Sequence, residues 1–294
     1  MSVYGIWYSA SLFKENGWEV PKTYAQAIEL GAKAKAKGKF LFLWGKEAAT
    51  YYLTTAMVSA IKEGGDEVRL NIENLKPDCW SQQSVQDVFK ALEEIVKKGY
   101  MKPGGNGTQF TAAQAQWSNG QEALFYPSGA WIENEMKSQT KDGFEMTGIP
   151  DWTITENPKI PYHAIRAEAG EGFIVPSKGK NKAGGKEVLR AMLSKEAATN
   201  FAKTRLSPTI VKDTIPEDGF GSTALKSQSK MLADAGEDSF ALRSNQYYGF
   251  NKDQLVIWNS FLAGQADVAT LTKEMQKITD KAAKDSSVKK IEIK

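Results

Sequence analysis

Five short apolar runs, at residues 3–8, 40–44, 123–126, 144–150 and 172–176, have the aromatic and aliphatic content of buried strands. Helical patterns of unequal length lie between them, without regular βαβ alternation. That mixture restricts the chain to the α/β class and suggests lobes that exchange segments. The helical signals are specific. Thr23 and Gln26 have capping-box spacing and open a helix whose apolar side is Tyr24, Ala27, Ile28 and Ala32. From Ser84 onward, Val85, Val88, Phe89, Leu92, Ile95 and Val96 share one face, and Gly99 stops the run. Further helices are expected at 111–118, near Trp131, and at 186–204, 223–235, 253–263 and 268–284, with loops at 150–161 and 207–221.

With 294 residues the chain is one large domain or two modest ones. No apolar stretch approaches the roughly 18 residues of a membrane span. The 38 basic and 35 acidic residues nearly balance, which argues against a nucleic-acid partner. One cysteine and one histidine exclude a Cys/His zinc site within one chain, and a Ser/His/Asp hydrolase would depend on His163 alone. No metal and no cofactor are expected. The start, Met1-Ser2-Val3-Tyr4, has no basic segment and no apolar segment of an export signal. Either the protein is cytosolic or its natural start lies upstream, and the second is favoured below.

The candidate chemical groups narrow quickly. Lys33, Lys35, Lys37 and Lys39 read as a solvated helix end rather than a phosphate stripe. Gly170-Glu171-Gly172 and Gly184-Gly185-Lys186 are incomplete phosphate loops and read as turns. His163 lacks an acidic or cysteine partner at ligand spacing and reads as a surface or hydrogen-bonded residue. Glu133 and Glu135 sit two residues apart on a helix and point opposite ways, so they cannot flank one bond. Glu133 with Glu171 is the pair a glycoside hydrolase would use, and that is the enzymatic alternative. What remains is an aromatic set at element ends: Trp44, Tyr51, Tyr52, Trp131 and the Tyr247-Tyr248 pair. Eight tryptophans exceed the ordinary needs of a core this size, and rings at element mouths suit the flat, weakly apolar face of a sugar.

These residues carry a resemblance. The segment from Tyr4-Gly5-Ile6-Trp7-Tyr8 through Leu12-Phe13, Gly17 and Pro21-Lys22-Thr23, and the segment Asn119-Gly120 through Gly129-Ala130-Trp131, are similar to extracellular solute-binding proteins of bacterial carbohydrate ABC importers. Gly170-Glu171-Gly172-Phe173-Ile174-Val175-Pro176, Met192-Leu193-Ser194-Lys195-Glu196-Ala197-Ala198 and the closing helix pair continue it in family order. Within the family, Gly129 to Lys137, Gly143-Phe144-Glu145-Met146 and Met192 to Lys195 look closest to binding proteins for N-acetylglucosamine and diacetylchitobiose.

The resemblance implies a periplasmic-binding-protein-like (type II) clamp of two α/β lobes, with most of the first lobe missing from this chain. Residues 1–162 and 247–294 would form the second lobe, and 163–246 a remnant of the first. Gly5 to Tyr8 and Gly170 to Gly172 would lie near the hinge. Trp131 matches the family's sugar-stacking tryptophan, with Ala130 where proline is common. Glu171 and Glu133 would accept hydrogen bonds from the sugar, Tyr247 or Tyr248 would supply an aromatic of the last crossing, and Trp44 and Tyr51 would face the cleft. The expected protein is a non-enzymatic monomer. Its expected partners are a sugar ligand and two membrane permease subunits with an ATPase behind them. The full-length form would be extracellular, as an anchored lipoprotein or periplasmic protein. The alternatives are the secreted glycoside hydrolase and a truncated fragment that binds nothing.

Overall fold

The computed structural model describes residues 1–170 and 172–294. Its frame is a six-stranded sheet of β1 (Ser2–Ser9), β2 (Phe40–Phe42), β3 (Ala123–Gly129), β4 (Met146–Ile149), β5 (Ile165–Glu168) and β6 (Ser239–Phe240), in the order β2-β3-β1-β5-β6 with β4 also on β1. β1 runs antiparallel to β3, with Tyr4 opposite Gly129 and Tyr8 opposite Phe125. Along its other edge β1 meets β5 through Ser2 and Val3, then β4 through Ile6 to Ser9. The handover falls at Gly5, where a Cβ would stand 2.4 Å from the Ile149 carbonyl oxygen; glycine is the residue that fits.

Local signals explain the flanking helices. Both bonds of the capping box form at Thr23 and start the Tyr24–Ala36 helix. Gly17 and Gly99 take the left-handed conformation where the Ala10–Asn16 and Gln83–Lys97 helices stop. In the latter helix Val85, Val88, Phe89, Leu92 and Ile95 are buried as their spacing requires. The lysine run is put to structural use: Lys35 and Lys39 donate to the carbonyls of Lys98 and Gln121, and Lys37 to the Asn16 side chain.

The main core packs the Tyr24–Ala36, Thr50–Gly64, Gln83–Lys97, Asn251–Leu262 and Val268–Lys284 helices on the sheet. A second core gathers Trp7, Trp117, Tyr126, Ile132 and Met146, so neighbouring Ile6 and Trp7 of β1 serve different cores. A third, small core joins Val3 and Ile165 to Met231 and Ala235. Six of the eight tryptophans (7, 44, 80, 117, 152 and 258) are fully buried. The tryptophan surplus therefore serves the core, and only Trp18 and Trp131 keep partial exposure.

The structure departs from the sequence reading in several places, among them the unforeseen strands β5 and β6 and the Ser244–Tyr248 helix. The Thr50–Gly64 and Asp66–Glu73 helices were not foreseen, and neither has a side-chain cap at its start. Residues 172–176 form no strand, because no neighbouring strand meets their backbone; Phe173 and Ile174 are 63% and 83% exposed. The run 186–204 divides into the Lys182–Met192 and Lys195–Arg205 helices, where the Ser194 hydroxyl caps the second. The block 163–246 is not uniform either. The Thr223–Ala235 helix seats against β4: Gly148 N–H donates to the Ser227 hydroxyl and the Gln228 amide to the Ala130 carbonyl. The Lys182–Met192 helix, by contrast, buries none of its residues. Among the described residues no helix is long and apolar enough to cross a membrane.

Candidate functional site

Trp131 stands where β3 ends and the short Ile132–Met136 helix begins. Its indole folds back over Gly129, where a Cβ would lie 2.2 Å from the ring, so the glycine makes the close approach possible. Ala130 N–H donates to the Val3 carbonyl at 2.8 Å, a bond that a proline at this position would forfeit. Antiparallel register places Tyr4 opposite Gly129, and Tyr4 meets the Trp131 ring edge-on at 5.5 Å. Tyr51, from the first turn of the Thr50–Gly64 helix, completes the cluster at 6.4 Å from Trp131. Three half-buried rings from distant parts of the chain thus form one surface.

Polar groups surround the rings. The Arg166 guanidinium carbon lies 3.9 Å from the centre of the Tyr4 ring, while its nitrogens donate to Thr54 Oγ1 and Glu168 Oε1. Exposed Glu135 accepts from the buried Gln114 amide at 2.9 Å. Burial, reinforced by the Glu135 charge and partly offset by Trp131, pushes the Tyr51 phenol up to about 12. Glu133 accepts a hydrogen bond from the Ser222 hydroxyl, which itself caps the Thr223–Ala235 helix. Burial raises the pKa of Glu133 against the opposing effects of Ser222 and Lys137. The two carboxylates are therefore committed to separate partners, and Glu135, rather than Glu133, is the one beside the rings.

Behind the rings lies a buried charged region. Lys62 Nζ donates to the carbonyls of Asp151 and Tyr162, each at 2.7 Å, and lies 5.1 Å from the centre of the Tyr162 ring. Burial lowers its pKa to about 7, partly offset by Asp151, and burial raises Asp151 to about 6, partly offset by Lys62.

The predicted site residues divide as follows. Trp131 and Tyr51 are brought together. Trp44 is corrected: it is 2% exposed, donates to Asn259 Oδ1, and is pressed by Gly105, so it has no free face for a ligand. Tyr248 is half-buried, and its hydroxyl accepts from Ile291 N–H and holds the C-terminal tail. Tyr247 is 47% exposed and packs edge-on against Tyr248, without ring contact to Trp131. Glu171 lies outside the described residues. His163, as expected of a hydrogen-bonded surface histidine, meets Asp238 at 2.9 Å. Sequence reasoning missed Tyr4, Glu135 and Arg166 as site residues. Arg166 did leave a signal, a lone charge inside the apolar run Ala164-Ile165-Arg166-Ala167.

A flat ligand laid on these rings would bury one apolar face and find the exposed Glu135 carboxylate at one edge and the Arg166 guanidinium behind Tyr4. The family model for bacterial extracellular solute-binding proteins matches residues 1–199. The chain is 61% identical over 293 residues to the diacetylchitobiose binding protein NgcE of Streptomyces coelicolor, covering 100% of this chain and 62% of that protein. The chain thus spans less than two thirds of that curated relative. Among solved structures, the raffinose complex of the binding protein RafE aligns with a TM-score of 0.77 at 18% identity, over 95% of this chain and 71% of that one. A chitin oligosaccharide binding protein aligns at 0.74 and 18%, over 96% and 70%. At such identities the likeness establishes the periplasmic-binding-protein-like fold.

Proposed function

Given that this chain belongs to the bacterial extracellular solute-binding proteins, we propose that it supplies the sugar-contacting lobe of an importer's receptor, with diacetylchitobiose or N-acetylglucosamine as ligand. The observation that carries the reading is the half-exposed cluster of Tyr4, Tyr51 and Trp131 with Arg166 and Glu135 at its edges. The 61% identity to a diacetylchitobiose binding protein supports the choice of an acetylated sugar. The rings take the sugar's apolar face, and the polar groups orient its hydroxyl and acetamide groups. The ligand is held and released unchanged, as a binding protein requires.

In the whole protein, residues 1–162 and 247–294 form the second lobe, and the first lobe takes part of 163–246. The exposed apolar side chains Phe173, Ile174, Val188 and Leu193 support this division, because further chain packed there would cover them. The seating of the Thr223–Ala235 helix on β4 supports leaving that helix out of the part taken by the first lobe. The receptor acts as a monomer, anchored as a lipoprotein or free in the periplasm, and delivers sugar to a permease pair driven by an ATPase.

Isothermal titration of the full-length gene product with diacetylchitobiose, N-acetylglucosamine, maltose and xylobiose tests the reading. Saturable binding is expected with the acetylated sugars and not with maltose or xylobiose. Trp131→Ala should weaken it by about thirtyfold or more, as for a central aromatic anchor. Equal binding of maltose would overturn the ligand assignment, and no binding of any sugar would overturn the role.

A further inference from the structure

Next to the ring cluster Tyr4 and Tyr51, with Thr54, Thr55, Ser128 and Asp151, close around a narrow crevice that does not admit a water molecule. Asp151 is 1% exposed and Ser128 3%. Both Asp151 carboxylate oxygens and the Ser128 hydroxyl lack a hydrogen-bond partner, and so does Nε of nearby Arg166. Thr55 faces the carboxylate without closing a well-formed bond. Lys62 spends its donors on backbone carbonyls and makes no ion pair with it. One orphaned buried polar group costs on the order of 1–3 kcal/mol, and a charged one more. Several of them converging at one spot beside a ligand-facing surface call for a partner that arrives from outside.

We propose that Asp151 and Ser128 form a recessed polar subsite that receives one hydrogen-bond-donating group of the bound sugar, a hydroxyl or an acetamide N–H, when the Tyr51 ring swings clear. Tyr51 is the wall that has to move: it is half-buried, and its hydroxyl and ring meet only Trp131 of the cluster, which the ligand itself would contact. Tyr4 is instead held under the Arg166 guanidinium. The subsite rests on the sugar-binding reading and adds to it a selective contact that ring stacking cannot make. The charged and titratable groups around Asp151 are Lys62 and Tyr51 from the Thr50–Gly64 helix, Tyr24 from its neighbour, Tyr162 from the loop, Arg166 from β5 and Tyr4 from β1. Burial keeps the carboxyl protonated to higher pH than usual, so the acceptor form is lost on mild acidification.

The test is titration calorimetry of the full-length gene product with diacetylchitobiose from pH 5 to 8, for wild type, Asp151→Asn and Ser128→Ala, with cellobiose as a second ligand. Asp151→Asn should weaken diacetylchitobiose by about tenfold or more and Ser128→Ala by about threefold to fivefold. Wild-type affinity should fall as the pH drops towards 5, and Asp151→Asn should flatten that slope. A loss confined to diacetylchitobiose assigns the acetamide N–H, and an equal loss with cellobiose assigns a hydroxyl. Wild-type binding with unchanged affinities and pH slopes in both variants would overturn the subsite and leave the sugar reading intact. Should Asp151→Asn fail to fold, an unchanged dissociation constant in Ser128→Ala overturns it alone. Absence of wild-type binding removes both.

Discussion

Lys62 is a charge without solvent, held by two carbonyls that bracket the 151–162 loop. Its pKa is lowered from 10.5 to about 7 by burial, so between those pH values the unfolded chain binds the proton that the folded one has released, and stability rises with pH. Asp151 works the other way. Raised from 3.8 to about 6, it keeps its proton in the fold where the unfolded chain has lost it, so stability falls as pH rises across that interval. Together they place a local minimum of stability near pH 6 to 7. Lys62→Met should flatten the alkaline rise, by an amount on the order of a few kcal/mol between pH 7 and 10. Urea unfolding at a series of pH values checks this; a rise as steep in the variant as in wild type refutes it.

At the scale of elements, several helix ends are finished by side chains from far along the chain. Buried Glu73 accepts from Arg243 N–H, Ser244 N–H and the Ser244 hydroxyl, capping the Ser244–Tyr248 helix. Its neighbour Asn74 exchanges two hydrogen bonds with Ile293, and Tyr248 accepts from Ile291, so helix, crossing and tail form one latch. Glu73→Ala should cost about 2–4 kcal/mol, because it leaves buried donors unpaired, and should free the tail for proteolysis. Denaturant unfolding and limited digestion report the two effects separately. The same logic explains Glu133, whose carboxylate steadies the start of the Thr223–Ala235 helix through Ser222.

For the whole molecule, apolar exposure is concentrated in one region. Phe173, Ile174, Val188, Leu193, Phe201 and Ile210 are each half exposed or more, although Val3 of β1 and Ile165 of β5 are well packed. Since the Lys182–Met192 helix buries nothing, Val188→Thr with Met192→Gln should change the stability of this chain by no more than about 0.5 kcal/mol. The same pair should reduce binding of a hydrophobic dye. In the full-length gene product these substitutions should instead lower the melting temperature by several degrees, if further chain packs on that face. Thermal melts of both proteins decide between the outcomes.

Much of this was legible in advance because it is local. The capping box at Thr23, the stripe from Val85 to Ile95 and the glycine stops depend on near neighbours, so spacing alone identified them. The turn from β3 into the Ile132–Met136 helix at Trp131 was legible in the same way, because Gly129 and Ala130 mark it locally. The Thr50–Gly64 helix was not, since it starts without a cap and is held by packing on both sides. Trp44 and Tyr248 sat at promising ends of elements, yet their surroundings, Asn259 in one case and the tail at Ile291 in the other, come from roughly 215 and 43 residues away. The sequence by itself determined the α/β class and the helix ends, since these follow from short-range sterics and hydrogen bonding. Only the tertiary structure decided which rings face outward, that Tyr4 and Tyr51 join Trp131, and that Asp151 is buried beside them, because those depend on strand register and on contacts between distant segments.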